Sequence, residues 1–63
     1  MNGTIANEVI IFNIASALCG DEYLSLSQTE KNIVRTLHSA GWVRLEGDYK
    51  IVKMTDYGNQ FKQ

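Results

Sequence analysis

The chain has 63 residues, six of them basic and seven acidic, which gives a net charge of −1 at neutral pH. A domain of this size buries only about 60% of the surface that its unfolded chain exposes, so we expect marginal stability that self-association would supplement. The single cysteine, Cys19, excludes an internal disulfide, and together with the single histidine, His38, it provides too few ligands for a zinc site.

Residues 5–18 are predicted to form the first helix. The β-branched run Val9–Ile11 also permits a strand, but the second half is rich in alanine and leucine and favours the helix, which Gly20 would end. The apolar residues cover more than one helical face. We therefore expect one face to pack on the domain's own core and the other on a second copy of the chain.

No targeting or membrane-spanning segment is predicted. The longest uninterrupted apolar run is Val9–Phe12, whereas a bilayer span requires about 20 residues. The chain also contains no proline, repeat or low-complexity tract that would indicate a linker. We expect a soluble, cytoplasmic protein with one domain over residues 1–63.

A second helix is predicted over residues 27–40, after a short turn at residues 21–26. Ser27 and Glu30 have the spacing of a capping box, in which each side chain bonds a free backbone N–H of the other residue. Gly41 is the expected end of the helix because glycine readily adopts the left-handed conformation. The apolar positions that follow the helical period are Ile33, Val34, Leu37 and Ala40.

Residues 42–54 are predicted to form a β-hairpin. The strands are Trp42–Glu46 and Tyr49–Met54, with Gly47–Asp48 as a two-residue turn, so that Glu46 pairs with Tyr49. In this register, the apolar residues on one face are Val43, Leu45, Val52 and Met54.

The charges are unevenly distributed along the chain. Residues 24–63 carry six bases and four acids, a net charge of +2, whereas residues 1–23 carry three acids and no base. This distribution is compatible with one face that meets a polyanion, and equally with scattered solvated charges on a small domain.

These segments together resemble a winged helix-turn-helix domain. That family often closes its recognition helix with a leucine, two or three residues, a glycine and an apolar pair, here Leu37 to Val43, and returns from the wing through a Thr-x-x-Gly step, here Thr55–Gly58. The resemblance covers about residues 10–61. It implies a small α+β fold of two main helices, a hairpin and a short C-terminal turn or helix. It also implies a homodimeric, DNA-binding transcriptional regulator, of a minimal size that suits a phage or a mobile element.

The resemblance implies that the 27–40 helix enters the major groove of double-stranded DNA and that the 42–54 hairpin is a wing. Glutamine and asparagine can bond adenine edges, and arginine and lysine can bond guanine or phosphate. Any soluble helix can show a comparable stripe of polar residues. The alternative that this side of the 27–40 helix is simply solvated therefore stays open. The implied DNA-binding residues are Ser27, Gln28, Lys31, Asn32, Arg35, Arg44, Lys50 and Lys53.

Two further function classes are considered. The first is a protein-interaction module that acts through the apolar first helix or through a face containing Trp42 and Tyr49, although a tryptophan after a helix-ending glycine more often packs into the core. The second is an enzyme. No nucleophile has a base at motif spacing and no glycine-rich phosphate loop occurs, so we expect no catalysis, no cofactor and no metal.

Overall fold

Two helices, a β-hairpin and a short C-terminal helix follow one another along the chain. A computed structural model describes the backbone of residues 3–62 and the side chains of residues 7–62. The elements are α1 (Gly3–Leu18), a 3-10 turn (Tyr23–Ser25), α2 (Gln28–Ser39), β1 (Val43–Glu46), β2 (Ile51–Met54) and α3 (Asp56–Asn59). The predicted α+β layout is confirmed. The first element is a helix rather than a strand, and it begins two residues before the predicted start.

Both ends of α2 follow from local sequence signals. The Ser27 hydroxyl accepts from the Glu30 N–H at 3.2 Å, and the Glu30 carboxylate accepts from the Ser27 N–H at 3.0 Å, so the capping box is complete. At the other end, Gly41 adopts a φ of +85°. The Trp42 N–H then reaches the Leu37 carbonyl at 2.9 Å, in the bond pattern of a Schellman motif.

The predicted two-residue turn of the hairpin is wrong. Glu46 pairs with Ile51 rather than with Tyr49, so the loop contains four residues, 47–50. The Lys50 N–H bonds the Gly47 carbonyl at 3.2 Å, and these two loop residues have positive φ angles, +76° for Gly47 and +54° for Lys50. The register is shifted by two residues, and because side chains alternate with a period of two, the predicted inner face is unchanged.

The register of β2 is also set by a third segment of chain. Residues 20–23 lie along the edge of β2 that β1 leaves open. The Gly20 N–H donates to the Val52 carbonyl at 2.8 Å, and the Val52 N–H donates to the Asp21 carbonyl at 2.9 Å. The Tyr23 N–H donates to the Lys50 carbonyl at 2.9 Å. The predicted turn at residues 21–26 therefore includes a short stretch that pairs like a strand.

The core lies between α1, α2 and the inner face of the hairpin. Both helices contribute to it, and the expected burial of Leu37 is confirmed, with 7% of its surface exposed. The same face of the hairpin holds the cross-strand pairs Val43–Met54 and Leu45–Val52. The buried apolar residues are Ala15, Leu18, Val34, Leu37, Trp42, Val43 and Val52.

The C-terminal segment closes the core over Trp42. Thr55 caps α3 by accepting from the Gly58 N–H at 3.2 Å, and its own N–H donates to the Trp42 carbonyl at 3.0 Å. Phe61 stacks on the indole with ring centroids 4.8 Å apart, and Tyr57 meets it edge-on at 5.5 Å. The segment after the hairpin therefore packs on the core through the buried Gly58 and through Phe61.

Candidate nucleic-acid interface

The side of α2 opposite its buried residues carries a continuous polar stripe. Residues three or four positions apart lie on one helical face, so Gln28, Asn32 and Arg35 line up along the axis, and all three are exposed. The Gln28 side-chain amide donates to Oδ1 of Asn32 at 3.1 Å. Ser39, which the helical spacing also places on this side, and Thr36, which the sequence prediction did not include, extend this surface beside Asn32 and Arg35.

Lys31 lies on the flank of this stripe rather than at its centre. Its ammonium group is 5.9 Å from the ring centroid of Tyr23, which the 3-10 turn places beside α2. This distance allows a cation–π contact. Both side chains are half-buried. Tyr23 therefore lies beside Lys31 at the flank of the stripe, a neighbour that helical spacing alone does not reveal.

Ser27 is occupied by the capping box. The Ser27 backbone N–H could otherwise donate to a phosphate, but it already donates to the Glu30 carboxylate. That carboxylate also places a negative charge at the positive end of the α2 dipole. Ser27, the N-cap of α2, is consequently the predicted residue of this segment that is least disposed to bind an anion.

The predicted hairpin residues lie on a different surface from the α2 stripe. Leu45 faces α2, where it lines a cleft together with Val34 and Arg35. Because side chains alternate along a strand, Arg44 and Lys53, which are paired across the two strands, point away from α2. The structure therefore gathers the α2 residues into one group and separates them from Arg44 and Lys53.

Arg44 is bound within the hairpin. Its Nε and Nη2 atoms donate to one carboxylate oxygen of Glu46 at 3.0 and 2.7 Å, and Nη1 donates to the Met54 carbonyl at 3.2 Å. The hydrogen bond and the charge of Arg44 lower the pKa of Glu46 below its ordinary value. Lys50 is exposed in the loop and Lys53 is exposed on the outer face, so these two lysines are the accessible cations of the wing prediction.

An apolar groove adjoins the stripe on the side of α1. It has a volume of about 270 Å³ and is lined by Ile11, Ile14, Asn32, Ile33, Thr36 and Leu37. Asn32 and Thr36 form the polar part of this lining and also belong to the stripe. The sequence predicted the excess of apolar residues on α1, but it did not predict that the groove would adjoin the polar stripe.

The proposed interaction face at Trp42 and Tyr49 does not form. Trp42 is 6% exposed and packs in the core, whereas Tyr49 is 69% exposed in the hairpin loop. The prediction that Trp42 packs in the core is therefore confirmed. Burial raises the pKa of the Cys19 thiol, which is half-buried beside the core.

The described residues contain neither a metal-binding cluster nor a membrane-spanning helix. Among residues 3–62, no cluster of three or more histidine, cysteine, aspartate or glutamate side chains is arranged to hold a metal ion. Within the same range, none of the helices has both the length and the apolar character needed to cross a bilayer.

Comparisons with known proteins found no match. The chain fits no protein-family model, and no curated protein and no solved structure is detectably similar to it.

Proposed function

We propose that the protein is a small DNA-binding regulator of transcription that inserts α2 into the major groove of double-stranded DNA. One observation carries the proposal: the exposed stripe of Gln28, Asn32 and Arg35, which lies opposite the buried face of α2 and contains no acidic residue. Amide and guanidinium groups are the side chains that read purine edges.

The dimensions of α2 support this role. A helix with its side chains is about 10–12 Å across, and the major groove of B-DNA is about 12 Å wide. Arg35 follows Gln28 by seven positions, which is about 10 Å along the axis at about 1.5 Å per residue. That distance corresponds to about three base pairs at about 3.4 Å each. The stripe can therefore contact a short run of neighbouring bases.

The hydrogen bond between Gln28 and Asn32 prepares Asn32 for base recognition. A side-chain carbonyl oxygen has two lone pairs, so Oδ1 of Asn32 can accept from Gln28 and still accept from an adenine amino group. The NH₂ group of Asn32 remains free to donate to the neighbouring ring nitrogen. We assign base reading to Asn32 and Gln28, and charge contacts to Arg35 and Lys31.

A smaller role is assigned to the hairpin. Lys50 and Lys53 are exposed and would meet phosphates beside the groove, where such contacts set position rather than sequence preference. Arg44 contributes less because its charge is paired with that of Glu46, with Nη2 of Arg44 2.7 Å from Oε2 of Glu46.

We also propose that the chain forms a homodimer through α1. Ile10 is 56% exposed and Ile14 is 43% exposed, and they lie one turn apart on the same side of the helix. The same exposed residues favour a second candidate function, a protein-interaction module in which α1 binds a different protein.

Titration of duplex DNA at several salt concentrations tests the DNA proposal. For the wild type we expect binding to random duplex with a negative log–log salt slope of about 0.9 for each phosphate contacted. Arg35→Ala should weaken binding to all duplexes and reduce the slope by about one if Arg35 contacts phosphate. If Arg35 contacts a guanine edge, the loss should be about 1–3 kcal/mol on the preferred site alone.

Two variants complete the design. Lys62→Ala removes the same charge from an exposed position outside α2, so it should leave binding nearly unchanged. Asn32→Ala should keep the affinity for random duplex and lose about 1–3 kcal/mol of preference for a site selected from a random pool. If the wild type binds no duplex at tens of micromolar, a range weaker than most non-specific binders reach, the DNA proposal fails and the interaction module is favoured.

A further inference from the structure

One side of α1 leaves large apolar side chains exposed. Ile10 is 56% exposed and Ile14 is 43% exposed, and they lie one helical turn apart. An apolar surface of this kind on a small domain is stabilised when a second surface covers it.

That surface exists beside α1 in the apolar groove. The groove of about 270 Å³ is open, and Ile14 belongs both to its lining and to the exposed side of α1. Small-molecule sites bury most of the surface of their ligand, whereas this groove is open to solvent. A groove of this size and shape suits a few apolar side chains presented by another helix.

The charge of α1 indicates which helix fits. Glu8 is the single ionisable side chain between residues 3 and 18, so a matching partner should also be a nearly neutral, apolar helix. Among the helices of the described chain, α1 itself has that character. By contrast, α2 carries Glu30, Lys31 and Arg35 in twelve residues, and α3 has only four residues and carries Asp56. A two-fold axis brings the same surface of both copies together and so makes α1 its own partner.

Glu8 also selects the direction of pairing. Parallel helices would place Glu8 beside the Glu8 of the other copy, which is unfavourable. Antiparallel helices place each Glu8 beside the uncharged second half of the other α1 and oppose the two helix dipoles. We propose that α1 of a second copy occupies the groove between α1 and α2 in an antiparallel two-fold dimer, with Ile10 of each protomer packed beside Ile14 of the other. This geometry presupposes the self-association proposed for α1 and does not require DNA.

Sedimentation at micromolar concentration tests the surface. We expect the wild type to have twice the 7.1 kDa mass of one chain. Ile10→Gln and Ile14→Gln should each raise the dimer dissociation constant at least tenfold, while circular dichroism shows that they remain folded. Leu24→Gln is the matched control, because Leu24 is 66% exposed outside α1. A wild-type monomer, or an equal effect of all three substitutions, overturns the assigned surface.

Disulfide crosslinking tests the direction in a Cys19→Ser background. Helix axes packed about 8–10 Å apart bring facing Cα atoms within disulfide range, and a four-residue offset adds about 6 Å along the axis. Mixing Ile10→Cys with Ile14→Cys should therefore give mainly the mixed crosslink between positions 10 and 14. Dominant 10–10 and 14–14 crosslinks in a confirmed dimer overturn the antiparallel geometry and leave the self-association standing. Absence of all crosslinks from a monomeric protein overturns both.

Discussion

Replacing Gly58 with alanine should destabilise the domain although the position is helical. By helix propensity alone, this change would stabilise a helix by about 1 kcal/mol. A Cβ atom at this position, however, would lie 2.6 Å from the Trp42 carbonyl oxygen and 2.6 Å from Sδ of Met54. The Met54 side chain can rotate away. The Trp42 carbonyl is held in place because it accepts from the Thr55 N–H at 3.0 Å.

The expected loss of stability follows from the shift of α3 that the added methyl group requires. To relieve the contact, α3 has to shift away from the hairpin and loosen Phe61, which stacks on Trp42 at 4.8 Å. Overpacking of this kind costs about 1–3 kcal/mol, and an aromatic pair contributes about 0.5–1.5 kcal/mol. After the propensity gain is subtracted, the free energy of unfolding should fall by about 2 kcal/mol. In a domain of this size, that loss lowers the Tm by about 8–16 °C.

Thermal unfolding followed by circular dichroism measures this effect. Protein concentration must be held fixed because the Tm of a self-associating chain depends on it. Asn59→Ala is the matched control, since Asn59 is the exposed neighbour in the same helical turn and should change the Tm by a few degrees at most. If Gly58→Ala melts at or above the wild-type temperature, the close approach of α3 to the Trp42 carbonyl is refuted.

Three further predictions use other parts of the molecule. Leu37→Ala should lower the free energy of unfolding, measured by chemical denaturation, by about 2–5 kcal/mol because it leaves a cavity at a buried site. Gln28→Ala should lower it little, and equal losses would mean that the buried face of α2 is misassigned. In an NMR pH titration, Glu46 should have a pKa below that of an ordinary glutamate, and Arg44→Ala should raise the pKa of Glu46. The small contribution of this exposed pair to stability is present above the ordinary glutamate pKa. That contribution is lost as the pH falls through the lowered pKa of Glu46. The Cys19 thiol should react with iodoacetamide more slowly in the folded than in the unfolded protein, and equal reaction rates would contradict its partial burial. Because the pKa of Cys19 is raised on folding, the free energy of unfolding should decline as the pH rises past the ordinary thiol pKa.

The parts of the fold that short-range chemistry determines were predictable from the sequence. The capping box of Ser27 and Glu30 and the glycine at position 41 set the two ends of α2, and each signal lies within a few residues of the end that it controls. The inner face of the hairpin was predictable for a related reason. Alternation along a strand survives a register shift of two residues, so Val43 and Val52 are buried in either register.

The hairpin loop was mispredicted because its determinants are distant in sequence. Residues 20–23 bond Lys50 and Val52 from about 30 positions away, and no window around Gly47 contains that information. Thr55 and Phe61 likewise reach Trp42 from beyond the hairpin.

Part of the candidate site was likewise predictable from local sequence, and part depends on distant contacts. Helical period predicted the stripe of Gln28, Asn32 and Arg35, but the flank position of Lys31 depends on Tyr23 in the 3-10 turn. The pairing of Arg44 with Glu46 was open to prediction, because residues two apart on a strand share a face. The distance of Arg44 from the α2 stripe depends instead on how the hairpin packs against the helix.

The hydrogen bonds between residues 20–23 and β2 also affect how the domain folds and opens. The bond from Gly20 to Val52 closes a loop that contains all of α2 and β1, which costs about 3 kcal/mol of chain entropy by the logarithmic loop rule. Local contacts can form α2 early, whereas this closure joins residues about 30 positions apart and should form later. Once made, it couples α1 to β2, so the Val52 amide should exchange its hydrogen only through global unfolding.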